Sequence, residues 1–169
     1  MKKYIKSVIA LTLVCGVMAV ILAVTNYFTS AKIKETEQEA AKKALLVVMP
    51  EGDSFEEVDI SAYSLPESIQ KVHKESSGGY VLEVVTKGYG SGMVIMCGID
   101  SDGVVTGSVC LKSSETLGYE KTYGENMVGK NADTLDSVDT IASATLTTTG
   151  YKAAIADAFD AVEILNKEA

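Results

Sequence analysis

Arginine is absent from this chain of 169 residues, so its 15 basic side chains are all lysines, set against 23 Asp and Glu for a net charge of −8. The imbalance is uneven. Residues 1–30 carry three lysines and no acid, which leaves residues 31–169 with 12 lysines against 23 acids, a net of −11. Such a domain repels a phosphate backbone, and nucleic acid is excluded as a partner. Cysteine is scarce too. Cys15, Cys97 and Cys110 show no Cys-x-x-Cys or Cys/His spacing, which excludes a structural zinc site and an iron–sulfur cluster and leaves no metal site to name. Any redox chemistry must come from another cofactor. The one histidine, His73, stands beside Lys71, Lys74 and Glu75 and reads as a surface residue, as the pair Glu56-Glu57 reads as a solvated face. No internal repeat or low-complexity tract is present, and at 47% hydrophobic content the chain is not disordered in character.

What is present begins with a long apolar run. Residues 7–28 hold 22 positions without a charge, about 33 Å of helix at 1.5 Å per residue, enough to cross the hydrocarbon core. The competing reading is a cleaved signal peptide, whose apolar region is usually shorter and is followed by a small-residue site; here only Thr29-Ser30-Ala31 comes close. An uncleaved anchor is the expectation. Charge favours a cytoplasmic N-terminus and an external domain only barely, because Lys2, Lys3 and Lys6 lie on one side while Lys32, Lys34, Lys42 and Lys43 lie within reach of the other.

The remaining residues are enough for one globular domain. The expected organisation is a cytoplasmic N-terminus and transmembrane anchor over residues 1–30, a connecting helix over 31–50 and a folded domain over 51–169. Residues 31–48 are rich in Ala, Glu and Lys, with Glu39 and Lys43 at i,i+4, and Met49-Pro50-Glu51-Gly52 stops that helix. Residues 69–74, 80–87, 93–99 and 104–112 read as strands separated by glycine-rich turns, an antiparallel meander. Because Val94 and Met96 alternate with Ile95, Cys97 and Ile99, both faces of the last strands are expected to be covered. With Ser101-Asp102 as the hairpin tip, Cys97 falls opposite Thr106 and Cys110 lies four residues on, roughly 13 Å away at strand rise. That exceeds the span of a disulfide, about 7 Å between Cα atoms. Residues 148–167 form an amphipathic helix with Tyr151, Ile155, Ala158, Phe159, Val162 and Leu165 on one face. The fold class is therefore α+β: a single N-terminal transmembrane helix, then an antiparallel sheet packed by helices.

Residues 139–150, from Asp139 to Gly150, place small side chains and many hydroxyls just before that helix. One reading is an N-cap with its loop. The other is a phosphate site, since a helix start offers unpaired N–H groups and a favourable dipole, and Ala142, Ser143 and Ala144 leave room for a bulky group.

The segment resembles the covalent flavin-attachment motif of FMN-binding domains, commonly Asp-x-x-Ser/Thr-Gly-Ala-Thr-x-Ser/Thr. That family includes the G subunit of the Rnf-type ion-translocating ferredoxin:NAD oxidoreductase and its relative, the C subunit of the sodium-translocating NADH:quinone reductase. Asp139, Ala144, Thr145 and Thr147 match, whereas Ala142 and Ser143 stand where a hydroxyl residue and a glycine are usual. The resemblance extends over about residues 40–168. Ala44-Leu45 running to Pro50 looks like the family's leading helix, Gly88-Tyr89-Gly90-Ser91-Gly92 resembles its glycine-bounded strand pair, and Glu115-Thr116-Leu117-Gly118 sits where Glu-Thr-Pro-Gly is usual.

What the resemblance implies is specific. The acceptor is Thr145, joined to FMN through a phosphoester made by a flavin transferase that uses FAD, with Thr147 or Thr148 as fallback acceptors. Asp139, Ser143, Ala144, Thr147 and Thr148 would surround the attachment point, and Gly88, Tyr89, Gly90, Glu115, Thr116, Leu117 and Gly118 would approach the ring. The protein would be an electron relay in the cytoplasmic membrane with its domain on the extracytoplasmic side, working with other membrane subunits of an Rnf-type complex and without independent catalytic activity. A stand-alone membrane-anchored flavoprotein for extracellular electron transfer would look the same. A pilin-like structural protein shares the layout but needs a glycine before the apolar segment and an acid near its start, and neither is here.

Overall fold

The structure is a computed structural model that describes residues 2–90 and 92–168, so Ser91 of the glycine-bounded loop lies outside the described residues. The chain divides into two compact units, Met1–Ala40 and Ala41–Ala169. The described residues of the first are helical, as part of α1 (Lys2–Val48). Within it, Val8–Ser30 forms 23 residues of exposed apolar helix, about 35 Å long and fit for a single-pass membrane anchor. Its polar hydroxyls are absorbed locally: Thr12 donates to the Val8 carbonyl at 3.0 Å and Thr25 to that of Ile21 at 2.9 Å.

The second unit is a five-stranded antiparallel meander in the order β1 (Phe55–Val58), β2 (Ile69–Glu75), β3 (Tyr80–Thr86), β4 (Met93–Ile99) and β5 (Val105–Ser113). A four-residue helix α2 (Glu120–Tyr123) and the 24-residue α3 (Thr145–Glu168) follow, joined by short 3₁₀ turns. Four strands fall where periodicity placed them. The first, β1, was not expected, because Glu56 and Glu57 break its apolar pattern; it is held by pairing with β2, Phe55 opposite Glu75 and Val58 opposite Val72.

Both faces of the sheet are covered, as the two-sided apolar pattern of β4 requires. On one face Ile95, Cys97 and Ile99 join Val72, Leu82 and Val84 beneath Tyr151, Ile155, Ala158 and Phe159 of α3. On the other, Met96 and Val81 are covered by Ala44, Val48 and Met49 at the end of α1. That contact depends on Gly98 and Gly107, which are cross-strand partners. A Cβ at either would stand 2.6 Å from Val48 backbone atoms, so only glycine lets the helix end settle on the sheet. The Thr106 hydroxyl fixes it there by donating to the Val48 carbonyl at 2.6 Å.

The β4–β5 register differs from the expected one. Cys97 lies opposite Ser108, not Thr106, and Cys110 lies opposite Ile95. Two local features account for the shift. The turn closes with the Asp100 N–H on the Val104 carbonyl and Gly103 at φ +75°, which pairs Ile99 with Val105. Thr106 then bulges, so that Gly98 meets Gly107. All three thiols are free, and burial pushes that of Cys97 up to about 12.

Candidate functional site

The helix that ends the chain starts earlier than its apolar face suggests. α3 begins at Thr145, directly after a 3₁₀ turn over Ala142–Ala144. Thr145 is therefore the first α-helical residue, not a loop residue ahead of the first turn, and the Ala144 N–H before it already donates to the Ile141 carbonyl at 2.8 Å. Threonine hydroxyls close this start from within. Thr148, fully buried, accepts from the Ile141 N–H at 3.2 Å and donates to the Ala144 carbonyl at 3.0 Å.

The three candidate acceptors thus differ sharply. Thr147 is buried and its hydroxyl donates to a carboxylate oxygen of Glu115. Thr148 is enclosed as described. Thr145 is exposed, and among the described residues its hydroxyl makes only long bonds back to its own turn, 3.3 Å to the Ile141 carbonyl and 3.2 Å to that of Ala142.

Thr145 opens into a cleft of about 450 Å³ between the helical start and the segment after β5, lined by Tyr89, Glu115, Thr116, Leu117, Tyr119, Glu120 and residues 142–147. This volume is within the usual range for a small-molecule site. Its walls include exposed apolar side chains, with Tyr89 74%, Leu117 63% and Leu146 61% accessible. Large apolar groups left open beside a cleft mark a binding surface more than a folding need. Among the described residues no lysine lines it, and the formal charges in its walls are the carboxylates of Glu115 and Glu120.

Those two carboxylates are held differently. Glu115 accepts from the Gly90 N–H at 2.7 Å, the Tyr89 N–H at 3.2 Å and the Thr147 hydroxyl. Partial burial alone would raise its pKa, but these three donors outweigh it and hold the carboxyl below its ordinary value. Glu120 is 1% accessible; Ser113 donates to its Oε1 at 2.7 Å, while Oε2 is buried without a hydrogen-bond partner among the described residues.

Of the residues singled out in the sequence, the cleft gathers Tyr89, Glu115, Thr116, Leu117, Ser143, Ala144, Thr145 and Thr147. Gly118, at φ +74°, lies on the outer side of the same loop. Gly88 and Gly90 sit behind the wall: a Cβ at Gly88 would be 2.7 Å from a Glu115 carboxylate oxygen, and one at Gly90 would be 2.6 Å from the Ser114 carbonyl. The close approach they allow is to the 114–115 backbone and side chain. Thr148 lies under the helical start, and Asp139 is exposed outside the lining, with its carbonyl accepting from the Tyr123 hydroxyl at 2.9 Å. Tyr119, Glu120 and Leu146 join the site without having been named. The aromatic and acidic residues right after Gly118 were a usable signal, since a polar loop rarely carries both without cause.

The FMN-binding domain family matches residues 88–160, which takes in the 88–90 loop, the 115–118 segment and the helical start. The G subunit of the Na(+)-translocating ferredoxin:NAD(+) oxidoreductase complex of Acetobacterium woodii is 30% identical over 140 residues, covering 72% of this chain and 68% of its own. This chain belongs to the FMN-binding domain family. The G subunit of the ion-translocating oxidoreductase complex of Methanosarcina acetivorans is also 30% identical, over 124 residues, covering 69% of this chain and 66% of its own.

The cleft suits FMN. The side chains of Tyr89, Leu117, Tyr119 and Leu146 offer apolar contact for a flat ring, and the small residues Ala142, Ser143 and Ala144 leave room at the helical start. Bound there, FMN would supply one- and two-electron transfer.

Proposed function

We propose that this protein is the FMN-carrying electron-transfer subunit of a membrane-bound, ion-translocating ferredoxin:NAD oxidoreductase complex of the Rnf type, with FMN held as a phosphoester on Thr145. The observation that carries the attachment is the difference among three neighbouring hydroxyls: Thr145 is exposed at the cleft, while Thr147 and Thr148 are buried and bonded. A second physical argument favours a covalent bond. An acidic cleft without a lysine attracts a free phosphate poorly, and a tether removes the need for that attraction.

In this reading a flavin transferase using FAD loads the domain, and residues 1–30 anchor it with residues 31–50 as the connecting helix and 51–169 on the extracytoplasmic side. There a cofactor that cannot dissociate matters, because no cytosolic FMN pool could replace a lost one. Electrons pass to and from other membrane subunits, and the chain performs no turnover alone. Chain residues have defined tasks: Thr145 tethers, Tyr89, Leu117, Tyr119 and Leu146 contact the ring, and Glu115 with Thr147 fixes the 88–90 loop against the helical start.

Protein purified from cells containing the transferase is expected to be yellow and to keep flavin fluorescence on a denaturing gel, because a phosphoester survives unfolding. Colourless protein from such cells would overturn the reading.

A further inference from the structure

The carboxylate of Glu115 is built into the wall of the cleft. Three donors converge on it, the N–H groups of Gly90 at 2.7 Å and Tyr89 at 3.2 Å and the hydroxyl of Thr147. Two glycines make space for it, since a Cβ at Gly88 would stand 2.7 Å and one at Gly90 3.2 Å from its Oε1. All three donors are neutral, so they fix the negative charge without cancelling it. Resting on the FMN reading above, we propose that Glu115 sets the redox preference of the cleft: its fixed negative charge lowers the potential at which the bound flavin accepts an electron.

No cation in the lining offsets that charge. Among the described residues no lysine lines the cleft, Glu120 adds a second formal negative charge, and Lys87 and Lys121, close to the lining segments in sequence, are exposed outside it. An added electron makes a flavin more negative, and repulsion from a nearby carboxylate makes its arrival less favourable. Glu115 stays a carboxylate throughout, because the donors that place it also stabilise its charged form. Fixing the loop does not require the charge. A glutamine of the same length would accept from the same backbone N–H groups, yet the chain carries an acid beside a cofactor that brings its own phosphate. That repulsion weakens binding, which the covalent tether offsets, and it acts on every reduction of the ring. The transfer balances without Glu115 changing: one electron arrives from a redox partner, one departs to the next, and the carboxylate gains and loses no atom. Its effect is on the equilibrium, and it makes the reduced flavin a stronger donor onward.

The test uses the full-length, flavin-loaded protein in detergent with two variants. Glu115→Gln removes the charge at nearly constant shape, and Glu115→Asp keeps the charge but shortens the reach to the three donors. Flavin absorbance is read first: its absence from the wild type overturns the FMN reading and this inference together, whereas its presence leaves only the role of Glu115 in question. Flavin midpoint potentials are then measured at one fixed pH, alongside hydrogen exchange of the Tyr89 and Gly90 amides, which reports on the loop. E115Q is expected to have a more positive potential than the wild type, and E115D to stay near the wild-type value even where its loop amides exchange faster. A potential in E115Q equal to or below that of the wild type, or a shift in E115D as large as in E115Q, would overturn the proposal and leave Glu115 as a brace for the loop. Should neither variant load with flavin, Leu117→Lys decides: a cation on the same exposed wall should raise the potential, and the lack of a rise contradicts control of the flavin by charge in the cleft.

Discussion

Glu115 and Thr147, 32 positions apart in sequence, are joined by a hydrogen bond that closes the wall of the cleft behind Thr145. The same carboxylate takes the N–H groups of Tyr89 and Gly90. One side chain therefore unites the three segments that the sequence could only show separately.

Replacing Glu115 by Ala removes all three bonds at once. The expected loss is about 1–3 kcal/mol, the range for hydrogen bonds to a charged group at a half-exposed site, read as a lowered midpoint in urea. Hydrogen exchange of the Tyr89 and Gly90 amides should rise with it. Unchanged exchange at those amides would show that the loop is held by something else.

That triple junction shows where sequence reasoning reaches and where it stops. Strands β2 to β5 were legible because β-branched and apolar residues alternate between glycine-rich turns, and α3 because its apolar positions repeat at helical spacing. Strand β1 was not, since Phe55-Glu56-Glu57-Val58 has no apolar pattern of its own and forms by pairing. The slip that puts Cys97 opposite Ser108 depends on a turn one residue longer than assumed and on a bulge at Thr106, neither of which leaves a compositional trace. At the site, hydroxyls and glycines stood out, but their use did not: Gly88 and Gly90 make room for Glu115 and Ser114. Glu120 passed unnoticed because burial at 1% accessibility is a tertiary property of an ordinary acidic residue.

Acid should weaken the fold through Glu75, which ties the β2–β3 turn to the segment after α1. The hydroxyls of Ser77 and Ser76, with the N–H groups of Ser77 and Asp53, hold its carboxyl down to about 2 against an ordinary value of 4.5. A folded-state pKa below the unfolded one gives stability that is present above pH 4.5 and is lost as pH falls toward about 2. Glu75→Gln should lower stability at neutral pH and flatten its decline in that window, measured by thermal unfolding at a series of pH values. An equally steep decline in the variant would assign it to other carboxylates.

The seat of α1 on the sheet gives a steric prediction. Gly107→Ala places a methyl group 2.6 Å from the Val48 Cα, and overpacking of this kind costs about 1–3 kcal/mol. Thermal unfolding of the full chain in detergent should register it, while Gly103→Ala, with open space around it but φ at +75°, should cost less.

Topology follows from the anchor and the proposed side of the membrane. Protease added to intact spheroplasts should digest the domain beyond about residue 31 and leave the apolar helix in the membrane. Protection of residues 80–167 until lysis would place the domain inside.

The central claim is tested most directly by peptide mass mapping of protein loaded in cells that contain the flavin transferase. FMN less one water, localised by fragmentation on Thr145, absent from Thr145→Ala and retained at least in part by Thr147→Ala and Thr148→Ala, is the predicted result. The same adduct on Thr147 or Thr148, or a covalent flavin that survives in Thr145→Ala, would contradict the assignment and show that Ala142 and Ser143 move the attachment along the helix.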